Sequence, residues 1–77
     1  MITPTDKKVL KKFGENLRKL RKDKGLSLRE MSYACNIDNS KIAKIEKGMI
    51  NITLTTLLQL ALALETPPAS LLNYPLE

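Results

Sequence analysis

Asn39, Ser40, Lys44 and Lys47 are the side chains of this 77-residue chain whose types and spacing best suit specific polar recognition. They lie in the stretch NIDNSKIAKIEKG, residues 36–48. At 100° per residue, Ile42 and Ile45 share one side of a helix. Ser40, Lys44 and Lys47 then project from the other side, with Ala43 beside them and Asn39 at the amino-terminal tip. Short hydroxyl and amide groups with ammonium groups around them match base edges in a DNA major groove. Asparagine pairs with adenine, serine bonds to several bases, lysine meets guanine or a phosphate, and alanine leaves room for a thymine methyl. A face that merely meets solvent is also polar, so composition does not separate the two readings.

The same helix carries an acid where it should not. Glu46 falls about 40° from Ile42 at helical spacing, at the edge of the apolar side. Arg21 poses the matching question on the preceding basic segment, because it follows Leu17 by four and Phe13 by eight residues and so lies on a buried stripe. Two opposite charges aimed at one small core are costly apart. The spacing therefore predicts an Arg21–Glu46 ion pair that ties the two helices together and sets their orientation.

Other chemistry is poorly provided for. With no histidine and a single cysteine, the sequence offers no intrachain disulfide, no Cys/His metal site and no histidine acid–base catalysis. Its serines, lysines and carboxylates do not group as a nucleophile with a base. Neither an enzyme nor a cofactor or metal is expected. Cys35 reads as a small buried hydrophobe, since Asn36 and Ile37 supply no activating cation. Met31 reads as core and Tyr33 as half-exposed.

Charge is distributed unevenly. The net charge is +5, but all thirteen lysines and arginines fall in residues 1–48 against six acids, whereas residues 49–77 hold two acids and no base. A basic half favours polyanions through phosphate contacts and counterion release. No run approaches the roughly 18 apolar residues of a membrane span, and MITPTDKK lacks the apolar centre of a signal peptide. The expected setting is cytoplasmic.

The elements that must position these residues are all helical. Leu10, Phe13, Leu17 and Leu20 predict a first helix over about 6–24, ended by Gly25. Gly14 inside it costs about 1 kcal/mol relative to alanine and marks close approach by another helix. SLRE, residues 27–30, fits a capping box that starts a second helix, which Asn36 ends in the left-handed conformation. Ile37 is a buried turn residue, Asp38 caps a third helix, and Gly48 ends it. Thr53 caps a fourth over about 54–64, and TPP at 66–68 predicts a short fifth, with Thr66 as its cap. The second and third helices, joined by only about three residues, form a helix–turn–helix. The expectation is one all-α domain, residues 1–77, folded as a compact bundle of five helices.

FGENLRKLRKDKGLSLREMSYACNIDNSKIAKIEKG followed by NITLTTLLQLALAL resembles the XRE/Cro-type, phage repressor-like helix–turn–helix family. The resemblance spans about residues 13–72 and rests on LRKLRKDKGLS, on Met31, on Ile42, Ile45, Glu46 and Gly48, and on TLLQLALAL. It implies a repressor-like bundle that works as a symmetric dimer, with the third helix in successive major grooves of a pseudo-palindromic double-stranded operator. The family's base-reading positions fall on Asn39, Ser40 and Lys44. Its phosphate contacts fall on Ser27, Leu28 and Asn51, with Lys41 and Lys47 as further phosphate partners. Leu28 stands where phage members often have glutamine, and Asn36 where the turn often has glycine. The loop GMINIT has no base, which shifts phosphate anchoring to Arg29, Lys47 and the first helix.

Helix four carries leucines over more than half its circumference, although one stripe would serve a monomer core. The surplus, with SLLNYPL after it, predicts a homodimer surface through Leu58, Leu62 and the C-terminal segment. These features describe a sequence-specific transcriptional regulator. Two variants compete with the plain form: an antitoxin or interaction module that binds DNA only for autoregulation, and a small controller protein of a restriction–modification operon, which is a subtype of the first reading.

Overall fold

In the computed structural model, residues 3–74 are described, so Pro75 and Leu76 of the expected dimer segment lie outside the described residues. The elements are α1 (Pro4–Asp23), α2 (Leu28–Cys35), α3 (Asn39–Glu46), α4 (Leu54–Ala63) and a 3-10 helix (Pro68–Leu72). Their main contacts form a closed ring: α1 meets α3, α3 meets α2, α2 meets α4, α4 meets the 3-10 helix, and the 3-10 helix returns to α1. The core inside that ring is aliphatic, with Leu17, Met31, Ile42, Ile45, Leu60, Leu64 and Leu71 fully buried.

Local signals explain most boundaries. Ser27 Oγ accepts from the Glu30 amide at 3.0 Å while Glu30 Oε1 accepts from the Ser27 amide at 2.9 Å, which is the capping box expected for α2. Asn36 ends α2 with φ 58° and ψ 31°, and Ile37 is buried behind it. Thr53 caps α4 by accepting from the Thr56 amide at 3.2 Å.

Two ends differ from expectation. The first helix begins at Pro4, because Thr3 and Asp6 form a second capping box and proline suits the first turn. The fifth element is a 3-10 helix whose cap position is Pro67, with no side-chain cap bond. Thr66 instead closes α4, its amide donating to the Ala61 carbonyl at 3.1 Å after Glu65 turns left-handed at φ 52°. Proline at 67 disfavours the helical region for the residue before it, so the turn takes Thr66.

A side chain of α1 completes the 3-10 helix. Asn16 Nδ2 donates to the carbonyls of Ser70 at 3.1 Å and Leu71 at 3.0 Å; it reinforces the 3.4 Å bond from the Asn73 amide to Ser70 and satisfies the Leu71 carbonyl, which so short a helix leaves open. Asn16→Ala is expected to lower stability by about 1–2 kcal/mol, the net value of two such bonds. Thermal melting checks this, and a melting point equal to that of the parent would show that the two bonds contribute nothing.

Candidate nucleic-acid interface

The presentation of α3 begins at Asp38. Its Oδ2 accepts from the Ser40 amide at 3.1 Å and also from the Ser40 hydroxyl. The Ser40 hydroxyl first, and its amide second, hold the Asp38 carboxyl below its ordinary value against a smaller opposing effect of desolvation. Glu30 is held low in the same way by the Ser27 amide and then the Ser27 hydroxyl. In both cases the folded carboxyl sits below its unfolded value, so each cap contributes at neutral pH and is lost as acid brings the pH down through the lowered value.

The inner side of α3 is held by charge as well as packing. Ile42 and Ile45 are buried in the core. Beside them Arg21 Nε donates to Glu46 Oε2 at 2.7 Å and Nη2 donates to Oε1 at 3.1 Å. The third guanidinium nitrogen, Nη1, donates to the Leu26 carbonyl at 2.8 Å. This pair is nearly sealed, with side-chain exposures of 9% and 5%, and it is the fork-to-carboxylate geometry that arginine supplies and lysine does not. Through Leu26 it also anchors the turn that leads into α2.

Gly14 sets the distance between α1 and α3. A Cβ there would collide with the carbonyl oxygens of Ile45 and Glu46 and lie 2.6 Å from the Glu46 carbonyl carbon. The two backbones are therefore in contact at the carboxyl end of α3.

The outer side gathers the residues singled out from sequence. Asn39, Ser40, Lys41, Lys44 and Lys47 are exposed, and Ala43 is half-buried between them and the core. Ser27, Arg29 and Asn51, at the start of α2 and in the turn after α3, are exposed as well. Leu28 turns its side chain toward the core, so only its backbone is available at the start of α2. The Ser27 amide donates to the Glu30 carboxylate and its hydroxyl accepts from the Glu30 amide. Asn51 Oδ1 accepts from the Ile52 amide at 2.9 Å, which fixes the side-chain amide and leaves Nδ2 as the outward donor. Tyr33, expected half-exposed, is 78% exposed, because it lies opposite buried Met31 and Cys35 on α2.

Sequence reasoning missed two positioning contacts, both between distant segments. One is Asn16 with the 3-10 helix; the other is the backbone of Lys11 against Gly48. Only the half-polar position of Asn16 at the edge of an apolar stripe signalled the first, and the second had no local signal.

The chain matches a family model described as helix-turn-helix over residues 17–71. Among solved structures it is similar to the restriction-modification controller protein C.AhdI from Aeromonas hydrophila, with 40% identity, a TM-score of 0.79, and coverage of 80% of this chain and 94% of that one. A second similar structure is the C.Esp1396I controller tetramer in complex with its natural 35 base-pair operator. There the identity is 26%, the TM-score 0.77, and the coverage 83% of this chain and 84% of that one. Among characterised proteins, the control protein C.BamHI of Bacillus amyloliquefaciens is 29% identical over 63 residues, which is 80% of this chain and 78% of that protein.

Proposed function

Because the chain belongs to the helix-turn-helix family, we propose that it is a sequence-specific transcriptional regulator that reads double-stranded DNA with α3 in the major groove, as a homodimer on a pseudo-palindromic operator. The operon it regulates is of the restriction–modification type, as it is for the controller proteins whose size and fold it shares. The antitoxin reading is not favoured, since those relatives are regulators in their own right. The protein acts by binding rather than by catalysis, and in the cytoplasm; among the described residues no helix is long and apolar enough to cross a membrane.

What supports this reading most is the two-sidedness of α3. Its inner side is locked by the Arg21–Glu46 pair, and its outer side leaves Asn39, Ser40 and Lys44 exposed. Asn39 suits the N6 and N7 edge of adenine, and Lys44 suits O6 and N7 of guanine. Ser40, with its proton committed to Asp38, acts as an acceptor and so suits the amino groups of adenine or cytosine. Ser27, Arg29, Lys41, Lys47, Asn51 and the Leu28 amide hold the phosphates that fix the register.

The homodimer surface runs along α4, where Leu54, Leu58 and Leu62 are 69%, 45% and 77% exposed at four-residue spacing. A shallow apolar groove of about 190 Å³ between α1, α4 and Leu72 extends it. An isologous pairing of this stripe gives the two-fold axis that an operator of matched half-sites requires.

Selection of bound duplexes from a random pool tests the proposal. The expected product is a two-fold symmetric motif with a fixed half-site spacing. Asn39→Ala and Lys44→Ala should each remove about 1–3 kcal/mol of preference for that motif over random DNA. Variants with an unchanged preference would take the reading role away from this face.

A further inference from the structure

The turn after α3 borders the outward face of that helix, yet residues 48–53, GMINIT, hold no lysine or arginine. The fold brings cations to it from α1. A Cβ on Gly48 would lie 2.6 Å from Lys11 Cα and 2.7 Å from Lys11 N, so the turn and α1 touch backbone to backbone. Gly48 has φ +73°, a conformation that favours glycine, and that conformation carries the chain from α3 across the Lys11 backbone.

The direction of the lysine side chains follows from the second α1 contact. Gly14 points at the last carbonyls of α3. At 100° per residue, Lys7 lies about 20° and Lys11 about 60° around α1 from Gly14, on the side away from Phe13 and Leu17. Both lysines are exposed. Lys11 stands at Gly48, where the turn begins one residue after exposed Lys47, and Lys7 lies one turn before it on α1. Lys19, also exposed, lies about 140° from Gly14 on the far side of α1.

We infer that Lys11, with Lys7 one turn before it, forms a second phosphate-binding surface that grips the DNA backbone beside the groove occupied by α3. It supplies the charge that the turn itself lacks. This rests on the reading of α3 as the groove helix. Such a surface adds affinity without base preference, because phosphates carry no sequence. A simpler role exists for Lys11: an ammonium near the carboxyl end of α3 complements the partial negative charge of that helix end. That role affects melting and leaves DNA binding alone, so the two roles separate by measurement.

The experiment compares the parent chain with Lys11→Gln, the double variant Lys7→Gln/Lys11→Gln, and Lys19→Gln. Dissociation constants are measured on a selected operator duplex and on a random duplex of equal length, from about 50 to about 200 mM KCl. The expected result is a loss of affinity by the same factor on both duplexes. The log–log salt slope should become shallower by about 0.9 for each phosphate contact removed, with Lys19→Gln unchanged. Slopes equal to the parent's for Lys11→Gln and the double variant would overturn the inference, whatever happened to melting; so would an equal change in Lys19→Gln. Lys44→Ala, measured alongside, keeps the two claims apart. A wrong assignment of α3 shows as an unchanged operator-to-random ratio in that variant and leaves the Lys11 slope standing on random DNA.

Discussion

Glu46→Ala is expected to cost about 3–5 kcal/mol of folding stability, the loss typical of breaking a buried ion pair from one side. The size comes from what is left behind. Arg21 spends two nitrogens on the Glu46 carboxylate and one on the Leu26 carbonyl, with its side chain 9% exposed. Without the carboxylate, a guanidinium stays in the protein interior with a single carbonyl for company. In a domain of this size each kcal/mol moves the melting point by about 4–8 °C, and a single small core rarely supplies more than about 3–5 kcal/mol in all. The variant should therefore be largely unfolded at growth temperature. The double variant Arg21→Met/Glu46→Leu should regain most of that loss, because apolar residues of similar volume often replace a buried pair at no net cost. Thermal melting of the three proteins decides the matter, and a Glu46→Ala protein that melts with the parent would contradict it. If the rescued double variant folds but no longer prefers its operator, the ion pair orients α3 for reading as well as holding it.

Gly14→Ala carries the second large effect, and here two forces oppose each other. Alanine is the better helix former by about 1 kcal/mol, so in an open helix the change would stabilise. At this position the new methyl would occupy the space of the Ile45 and Glu46 carbonyl oxygens. Those are backbone atoms at the end of a helix, and no side-chain rotation relieves the overlap. Overpacking of this kind costs about 1–3 kcal/mol, and overlap with two backbone carbonyls puts it at the upper end, so after the helix gain a net loss of about 2 kcal/mol is expected. Because relief requires α1 and α3 to separate, the variant should also bind operator more weakly than its residual folded fraction explains. Melting and operator titration of one preparation test both parts; a protein more stable than the parent would show that the helices can move apart freely.

Much of this architecture was legible in the sequence because its determinants are local. Ser27 and Glu30 are three residues apart, and their capping box follows from types and spacing alone. Asn36 could be placed in the left-handed conformation because the helical pattern stops there and asparagine tolerates it. Even the Arg21–Glu46 pair, 25 residues apart, was accessible, since each charge lay on its own helix's apolar side and a small core leaves few places for such residues to go. The fifth element was less accessible. TPP permits a capped α-helix or a 3-10 turn, and the choice went to the turn once Thr66 was drawn into closing α4.

The polar outer face of α3 stands between these cases. Helical spacing alone places Ser40 and Lys44 opposite Ile42 and Ile45, with Asn39 at the amino-terminal tip. The hydrogen-bonding sense of each group depended on neighbours: Asp38 commits the Ser40 proton, Ile52 turns the Asn51 amide, and core packing withdraws the Leu28 side chain.

By itself, then, the sequence determined the helices, their stops, the buried charge pair and the polar face of α3, because periodicity and capping act over three or four residues. Only the tertiary structure decided that Asn16 completes the 3-10 helix and that α1 meets both the end of α3 and the turn beyond it. It also decided that Lys11 stands beside a turn with no charge of its own. Those contacts depend on how closely two backbones approach across the ring of helices, and no spacing within a single element encodes that distance.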